Sequence, residues 1–208
     1  MNNFIVVSFY TDHTVYEGVM ENYLKPSLEK FQLPHVIYKH ESLGSWNKNV
    51  TLKPYSIKLA FEQYNCDVVF LDADAVIERR PDLFYDLPQE FDIAAHYLDW
   101  NSHYGYSETP PRKELLSGTI YLRNNAKVKA LVNDWYYTSQ LTTIWEQKVL
   151  ESCIKKNESE YKIYSLPLEY IWLKSLPDGR EPLEKLDGPV VISHAQVSRQ
   201  LKRFINGV

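Results

Sequence analysis

Short apolar runs alternate with amphipathic segments along the first half of the chain. Residues 4–9 (FIVVSF) form an apolar run, and residues 67–72 (DVVFLD) form another that is polar only at its ends. Continuous runs of this kind are typical of strands that are buried on both faces. Between them, helical spacing at residues 14–31 predicts a helix that Pro26 kinks or divides. Residues 35–39 predict a second strand.

The rest of the chain continues this alternation. A polar stretch at residues 40–52 predicts a loop, and a helix is expected to begin at Pro54, because the first helical turn leaves its N–H groups unpaired in any case. Strands that alternate with helices indicate an α/β fold with a largely parallel sheet flanked by helices. The remaining predictions are strands at 91–96, 119–122 and 190–193, helices at 125–139 and 143–155, and a polar tail after the last strand.

The pattern shows no internal repeat and no linker. A chain of 208 residues with 44% hydrophobic and 24% charged residues has enough apolar surface for one ordinary core. We therefore predict a single domain over residues 1–208. Residues 98–114 are aromatic and show no periodicity, which predicts a long loop, and long loops in compact domains are more often functional than idle.

Charge and cysteine content narrow the class of protein. The formal charge of −4 does not indicate a polycation that binds nucleic acid along its whole surface, although Arg199, Lys202 and Arg203 form a local basic group. The two cysteines have no metal or redox spacing. The opening apolar run is too short for a signal peptide or a membrane span. From these features we expect a soluble, cytoplasmic protein with no integral membrane segment.

Two aspartates stand at the end of the predicted strand at 67–72. Asp72 and Asp74 are two positions apart, so in an extended chain both side chains point to the same side. Ligands of open α/β sheets bind at the carboxyl ends of the strands. Paired carboxylates repel each other unless a cation joins them, and oxygen ligands suit Mg²⁺ or Mn²⁺. The pair predicts a metal site; the alternative is that one aspartate caps a turn and the other is solvated.

Four segments resemble, in order, the motifs of GT-A glycosyltransferases. Residues 70–77 (FLDADAVI) look like the Asp-x-Asp segment of that class. Residues 116–124 (LSGTIYLRN) are similar to the small-residue turn and strand of retaining members of the glycosyltransferase family 8 type. Residues 145–147 (WEQ) are similar to their Asp-Gln pair, and residues 192–194 (ISH) stand where they have a late metal-binding histidine.

This resemblance implies a single GT-A domain with a Rossmann-like, mixed but mostly parallel sheet. It implies a nucleotide-sugar-binding half at about residues 1–97 and an acceptor half at about 98–208 that includes the C-terminal metal-ligand tail. The implied activity is transfer of a hexose from a nucleoside-diphosphate sugar, expected to be a UDP-sugar, to an acceptor hydroxyl with retention. The implied metal ligands are Asp72, Asp74 and His194, which would hold Mn²⁺ or Mg²⁺.

The same resemblance suggests residues for the donor. Tyr10 and Thr11 follow the first strand, where the resembled fold holds the nucleoside, and Asp72 would reach the phosphates through the metal. Ser117 and Gly118 are expected to approach the donor closely, since a glycine lets other groups come near the backbone.

Cationic side chains are expected to bind the phosphates. Lys53 and Lys58 both lie on the helix before the Asp-x-Asp strand, and of the two we assign Lys58 to the donor. Arg199 and Lys202 are expected to stabilise the leaving diphosphate, which departs as an anion.

Three residues are candidates for the catalytic step. Gln147 is expected to face the anomeric carbon or the hydroxyls of the donor sugar. Glu146 is the second candidate, although Thr143-x-x-Glu146 also matches a capping box, and we favour that helix cap for it. Asp99 is the third, as a general base of the kind that an inverting reaction needs; Glu114 and Glu146 are the other carboxylates available for that role.

Two other functions fit parts of the pattern. A haloacid-dehalogenase-type phosphatase also has an apolar strand that ends in Asp-x-Asp, with Asp72 as nucleophile and Asp74 as acid/base. Its motif usually lies on the first strand, however, and His194 has no role in it. A non-catalytic module that binds sugars or nucleotides is the second alternative.

The acceptor is expected to contact the irregular, aromatic segments at residues 98–114 and 165–185. Aromatic rings stack on sugars or on bases, so the rings alone do not choose between them. We rank a saccharide or glycoconjugate first and a hydroxylated base of viral DNA second, with Arg112, Lys113 and residues 199–203 as its basic track. The aromatic and basic residues in question are Trp100, His103, Tyr104, Tyr106, Tyr170, Trp172 and Lys174.

Overall fold

The structure, a computed structural model, describes residues 3–176 and 178–205, the last four of them by their backbone only. Its strands are β1 (Phe4–Thr11), β2 (His35–His40), β3 (Asp67–Leu71), β4 (Ala75–Ile77), β5 (Ile93–Asp99), β6 (Lys113–Leu122), β7 (Ile163–Ser165), β8 (Trp172–Leu173) and β9 (Ile192–His194). Its helices are α1 (Val15–Asn22), α2 (Leu24–Lys30), α3 (Trp46–Asn49), α4 (Leu52–Gln63), α5 (Leu83–Asp86), α6 (Trp100–Tyr104), α7 (Ala126–Leu141), α8 (Glu146–Lys156) and α9 (Val197–Ile205).

A six-stranded sheet in the order β2-β1-β3-β6-β5-β7 forms the centre of the molecule. Three of its five pairings are parallel, and β6 runs antiparallel to both of its neighbours. The predicted mixed, mostly parallel α/β sheet is therefore confirmed. Because β6 begins at Lys113 but pairs with β3 only from Thr119 onward, its first half extends past the carboxyl end of β3 together with β5.

The strands β1 and β3 are buried on both faces, as their continuous apolar runs predict. In β1, Ile5 and Val7 face a core formed with α4, α7 and α8, whereas Phe4 and Val6 face a second core. The second core lies under α1, α2 and the strands β4 and β9 of a small sheet with the order β4-β9-β8. Alternate side chains of a strand point to opposite faces, so one short run of sequence supplies both cores.

Two helical predictions are corrected in detail. The helix at 14–31 is divided, but at Tyr23 rather than at Pro26, which lies in the first turn of α2, where a proline is tolerated. The segment at 40–52 is not all loop, because Ser45 caps the short helix α3 by accepting a hydrogen bond from Lys48 N. The predicted polar tail likewise forms α9.

The prediction of a long irregular loop at 98–114 is wrong. Strand β5 continues to Asp99, α6 follows at once, and β6 begins at Lys113, so only residues 105–112 are irregular. The α6 rings belong to a third apolar cluster, in which Trp100 and Tyr104 are buried. Their core packing explains the aromatic content of this segment without an external ligand.

The helix α8 begins at Glu146, with Trp145 as its cap residue and no side-chain cap. The predicted capping box from Thr143 is therefore wrong. The first turn of α8 is instead fixed by Trp135 of α7, whose fully buried indole donates a 2.8 Å hydrogen bond to the Glu146 carbonyl oxygen. Among the described residues, no helix is both long and apolar enough to cross a bilayer.

Replacing Trp135 tests how strongly α7 holds the start of α8. Trp135→Phe removes the indole donor and leaves a buried carbonyl unpaired beside a small cavity, so we expect the free energy of unfolding to fall by about 2–4 kcal/mol. Urea denaturation measures it. Tyr137→Phe on the same helix is the control, because Tyr137 is 57% exposed, and surface changes usually stay within about 0.5 kcal/mol. Equal effects of the two substitutions would contradict the assigned role of Trp135.

Candidate active site

A cleft of about 360 Å³ opens at the carboxyl ends of β1 and β3. Tyr10 and Thr11 of β1 lie on one side, and Asp72 and Asp74 follow β3. The protruding half of β6 forms the opposite wall with Ser117 and Gly118, the first turn of α8 contributes Glu146 and Gln147, and β9 contributes His194. The fold therefore brings most of the predicted site residues to one cavity.

Asp72, Asp74 and His194 meet within this cleft. Each offers one ligand atom, and these three atoms lie within 4.8 Å of one another. Asp74 and His194 are buried, with His194 Nδ1 3.7 Å from Asp74 Oδ1. The second Asp74 oxygen accepts a 2.8 Å hydrogen bond from Val197 N, so the start of α9 fixes this carboxylate. Two carboxylates and one imidazole form a donor set that could hold a divalent metal ion.

The surroundings of His194 orient its ring for such a role. Its Nε2 lies 2.8 Å from Thr119 Oγ1, which leaves Nδ1 on the side of the two aspartates. A histidine that binds a metal through one nitrogen usually donates the proton on the other to a fixed partner. The Thr119 hydroxyl can accept that proton, so the arrangement fits an Nδ1 ligand.

Gly118 leaves the space that the three side chains occupy. A Cβ at this position would lie 3.0 Å from His194 Cε1 and 3.1 Å from Asp72 Oδ2. The Gly118 carbonyl oxygen also accepts a 2.9 Å hydrogen bond from Asp72 N. The glycine is required here by the close approach of side chains to the backbone.

The side chain of Lys53 contacts residues from three walls of the cleft. Its buried ammonium lies 3.0 Å from Asp72 Oδ1 and 2.8 Å from Glu146 Oε1. It also donates a 2.9 Å hydrogen bond to Ser117 Oγ. Sequence analysis favoured Lys58 over Lys53, but the Lys58 ammonium lies near the rings of Tyr136 and Tyr137, and Lys58 does not line the cleft.

Burial and the charge of the partner shift the pKa values of Lys53 and Glu146 in opposite directions. Burial favours the neutral form of Lys53, but the attraction of Asp72 and Glu146 outweighs it and raises the pKa of the ammonium. Burial raises the pKa of the Glu146 carboxyl, and the neighbouring Lys53 ammonium only partly offsets it. Burial would also raise the pKa of Asp74, but its hydrogen bonds with His194 and Val197 N hold that pKa below the usual value.

Both ends of the Gln147 amide are held by the protein. Its Oε1 accepts a 3.0 Å hydrogen bond from Ser117 N, and its Nε2 donates a 2.9 Å bond to Glu114 Oε1. Glu114 is fully buried, and its other oxygen accepts bonds from Trp100 Nε1 and Arg112, both at 2.8 Å. Gln147 therefore lines the cleft in one fixed orientation.

Of the other predicted site residues, Arg199 lines the cleft and Asp99 does not. Asp99 does not line the cleft; it caps α6 by accepting hydrogen bonds from Asn101 N and Ser102 N. Arg199 does line the cleft, and its guanidinium lies 4.6 Å from the Trp100 ring. The side chain of Lys202 is outside the described residues.

Sequence analysis missed the wall formed by α1 and α3. Tyr16, Trp46 and Asn49 line the cleft, the first of them with its hydroxyl 3.3 Å from Ser198 Oγ of α9. The Trp46 ring lies 5.9 Å from the ring of Trp145, another cleft residue. The one feature of the sequence that could have indicated α3 is Ser45 before Trp46 in an otherwise polar stretch, because serine is a preferred residue at the start of a helix.

Comparison with known proteins identifies the family and the fold. The model of the nucleotide-diphospho-sugar transferase family matches residues 1–202. No curated protein matches the chain by sequence. A glycosyltransferase involved in the glycosylation of the major capsid of PBCV-1 has a similar structure, with a TM-score of 0.65 and 12% identity over 98% of each chain.

Two further solved structures share the fold at lower similarity. Mouse xyloside xylosyltransferase 1 has a TM-score of 0.54 and 10% identity, with 94% of this chain and 98% of that chain covered. The galactosyltransferase LgtC, in complex with donor and acceptor sugar analogues, has a TM-score of 0.53 and 8% identity, with 98% and 94% covered.

Removing the Lys53 charge tests its role in the site. Lys53→Met leaves Glu146 buried without a cation, so we expect the free energy of unfolding to fall by about 3–5 kcal/mol at pH 8. Glu146 already has a raised pKa in the folded state, and the loss of the cation raises it further. A group of this kind stabilises the fold below its unfolded pKa and loses that contribution as pH rises through its folded pKa. The defect should therefore shrink between pH 8 and pH 5.

Urea denaturation across this pH range measures the effect. The double variant Lys53→Met/Glu146→Gln is the control, because it removes both charges and should recover much of the stability at pH 8. A defect in Lys53→Met that does not change with pH, or a double variant that is no more stable than the single one, would contradict the ion pair.

Proposed function

Because the chain belongs to the nucleotide-diphospho-sugar transferase family, we propose that it transfers a hexose from a UDP-sugar to an acceptor hydroxyl in a reaction that depends on a divalent metal. The observation that supports this most directly is the meeting of Asp72, Asp74 and His194 beside Gly118 in the cleft at the carboxyl ends of β1 and β3. Membership of this family excludes the alternative of a haloacid-dehalogenase-type phosphatase.

The residues that would hold the metal are Asp72, Asp74 and His194. Mn²⁺ or Mg²⁺ at this position would neutralise the charge of the donor diphosphate. Tyr10 and Thr11 bind the nucleoside in this proposal, since they lie at the end of the neighbouring strand β1. Ser117 and Gly118 approach the donor sugar from the opposite wall.

We propose retention at the anomeric carbon, and the state of the cleft carboxylates supports it. Inversion needs a general base within reach of the acceptor hydroxyl. Along the described part of the cleft wall the carboxylates are Asp72, Asp74 and Glu146. The first two belong to the metal site, and Glu146 is bound to Lys53 and Ser117. Gln147, fixed at both ends of its amide, supplies a neutral polar surface to the sugar.

The acceptor we propose is a saccharide or glycoconjugate, with a hydroxylated base in DNA as the second candidate. The aromatic residues first assigned to the acceptor support neither. Trp100, His103 and Tyr104 are buried, and the half-buried Tyr106, Tyr170 and Trp172 do not line the cleft. A screen of UDP-sugars for hydrolysis, followed by transfer from the best labelled donor to glycans, glycolipids, peptides and hydroxymethylated DNA, identifies the acceptor class. Nucleotide-sugar binding without hydrolysis or transfer would favour the non-catalytic module.

Metal dependence is tested through UDP binding. Calorimetric titration of UDP should show an affinity at least about tenfold higher with Mn²⁺ than without it, because the cation joins the phosphates to the carboxylates. Asp74→Asn keeps an oxygen for Val197 N but removes the charge, and Gly118→Ala places a Cβ against Asp72 and His194. Both variants should lose the Mn²⁺ effect.

The matched control is Asp82→Asn, which removes one charge at an exposed position paired with Arg80. This variant should keep the full response to Mn²⁺. Equal UDP affinity with and without Mn²⁺ in the parent protein, or an unchanged response in Asp74→Asn, would contradict the metal site.

The stereochemical outcome is tested on the first product obtained. The anomeric coupling constant of the new linkage in the proton NMR spectrum should correspond to the configuration of the donor sugar. Glu146→Gln should lower the rate without changing that configuration, since the carboxylate acts by holding Lys53 and Ser117. An inverted product would overturn retention and leave the metal prediction unaffected.

A further inference from the structure

Two arginines that line the cleft lie over one tryptophan. The guanidinium carbons of Arg112 and Arg199 are each 4.6 Å from the centre of a Trp100 ring. Both arginines line the cleft, whereas Trp100 is 1% exposed and serves as their support. A guanidinium over an aromatic face is held in place but keeps its N–H donors free at its edge.

The cations at this position outnumber the anions. Within the described residues, Glu114 is the carboxylate that pairs with Arg112, and no carboxylate lies within ion-pair distance of Arg199. Glu114 already accepts hydrogen bonds from Trp100 and Gln147 in addition to Arg112. Burial lowers the pKa of Arg199, yet a guanidinium remains charged at neutral pH. The charge of Glu114 also acts on Arg199, so one carboxylate serves two guanidinium groups. A partly buried excess of positive charge favours an anion from outside.

The position of the pair separates it from the proposed phosphate site. Gly118 contacts Asp72 and His194, and the Arg112 guanidinium binds Glu114, four residues earlier on β6. At the rise of an extended strand this is a backbone separation of about 14 Å. Arg199 lies over the same tryptophan as Arg112, and this Trp100 donates a hydrogen bond to Glu114. In the proposed function the donor phosphates lie beside Asp72, which places the two arginines beyond the donor sugar, where an acceptor enters.

We propose that Arg112 and Arg199 bind an anionic group of the acceptor, so that the acceptor is a saccharide that carries a carboxylate or a phosphate. This inference rests on the proposed function and specifies its acceptor. Guanidinium groups suit both anions, because their planar fork donates two parallel hydrogen bonds to the two oxygens. The donor role first expected of Arg199 is replaced by this one.

The test compares pairs of sugars that differ in charge. The protein is saturated with UDP and Mn²⁺, so that the phosphate site is filled, and binding is measured by ligand-observed NMR. The probes are methyl glucuronide against methyl glucoside, methyl galacturonide against methyl galactoside, and glucose 6-phosphate against glucose. In at least one pair the anionic member should bind about tenfold more tightly, the effect of one charge-assisted hydrogen bond.

Substitutions assign this preference to the arginines. Arg199→Gln and Arg112→Gln should each bring the ratio within a pair close to one, and Arg199→Lys should keep part of it. Arg199→Gln is the decisive variant, because Arg112→Gln also removes a partner of buried Glu114 and is interpreted only where its unfolding curve matches the parent. Arg80→Gln, an exposed arginine outside the cleft, is the control and should keep the full preference.

The outcomes separate this inference from the proposed function. No preference in any pair, or a preference that Arg199→Gln leaves unchanged, overturns the anion site. A preference that disappears when UDP and Mn²⁺ are added also overturns it, because the anion then binds at the donor phosphates. Failure of UDP to bind contradicts the proposed function instead, and the probe ratios measured without UDP still decide whether the arginines select an anion.

Discussion

The buried ammonium of Lys53 is the contact on which the candidate site most depends. It lies on α4 and contacts Asp72 after β3, Ser117 on β6 and Glu146 on α8, so one charge joins four elements that are distant in sequence. A buried cation is tolerated only where anions and hydrogen-bond acceptors surround it. The same constraint therefore fixes Asp72, Glu146 and the part of β6 around Ser117.

The central sheet explains why these elements meet there. β1 and β3 are parallel and buried on both faces, so their carboxyl ends reach the same edge, where polar side chains become accessible. β6 is antiparallel and continues beyond that edge, which converts an open sheet edge into a cleft with two walls. The start of α9 then contributes Val197 N to Asp74, so the C-terminal part of the chain closes the site that the first half begins.

Much of this arrangement was predictable because it follows from local patterns. The apolar run at 67–72 and the spacing of Asp72 and Asp74 predict a buried strand that ends in paired carboxylates, and motif order adds His194. The choice of Lys58 over Lys53 was wrong because helical spacing does not show which side chain points under the neighbouring strands. The predictions that Asp99 is a general base and that Trp100 contacts the acceptor were wrong for a related reason. Helix caps and apolar cores use the same residue types as binding sites do.

The sign of the charge also differs between the two ends of the cleft. Near β3 the acidic groups Asp72 and Asp74 outnumber the cations around them, whereas beside the start of β6 the guanidinium groups of Arg112 and Arg199 give the opposite excess. Gln147 lies between these regions and is neutral, with its amide bound to Ser117 on one side and to Glu114 on the other. A donor sugar held over this amide would lie between two charged groups, with its leaving diphosphate toward the metal ligands and its acceptor toward the arginines. In the proposed function, charge of opposite sign at the two ends would orient donor and acceptor, which a uniformly charged cleft would not do.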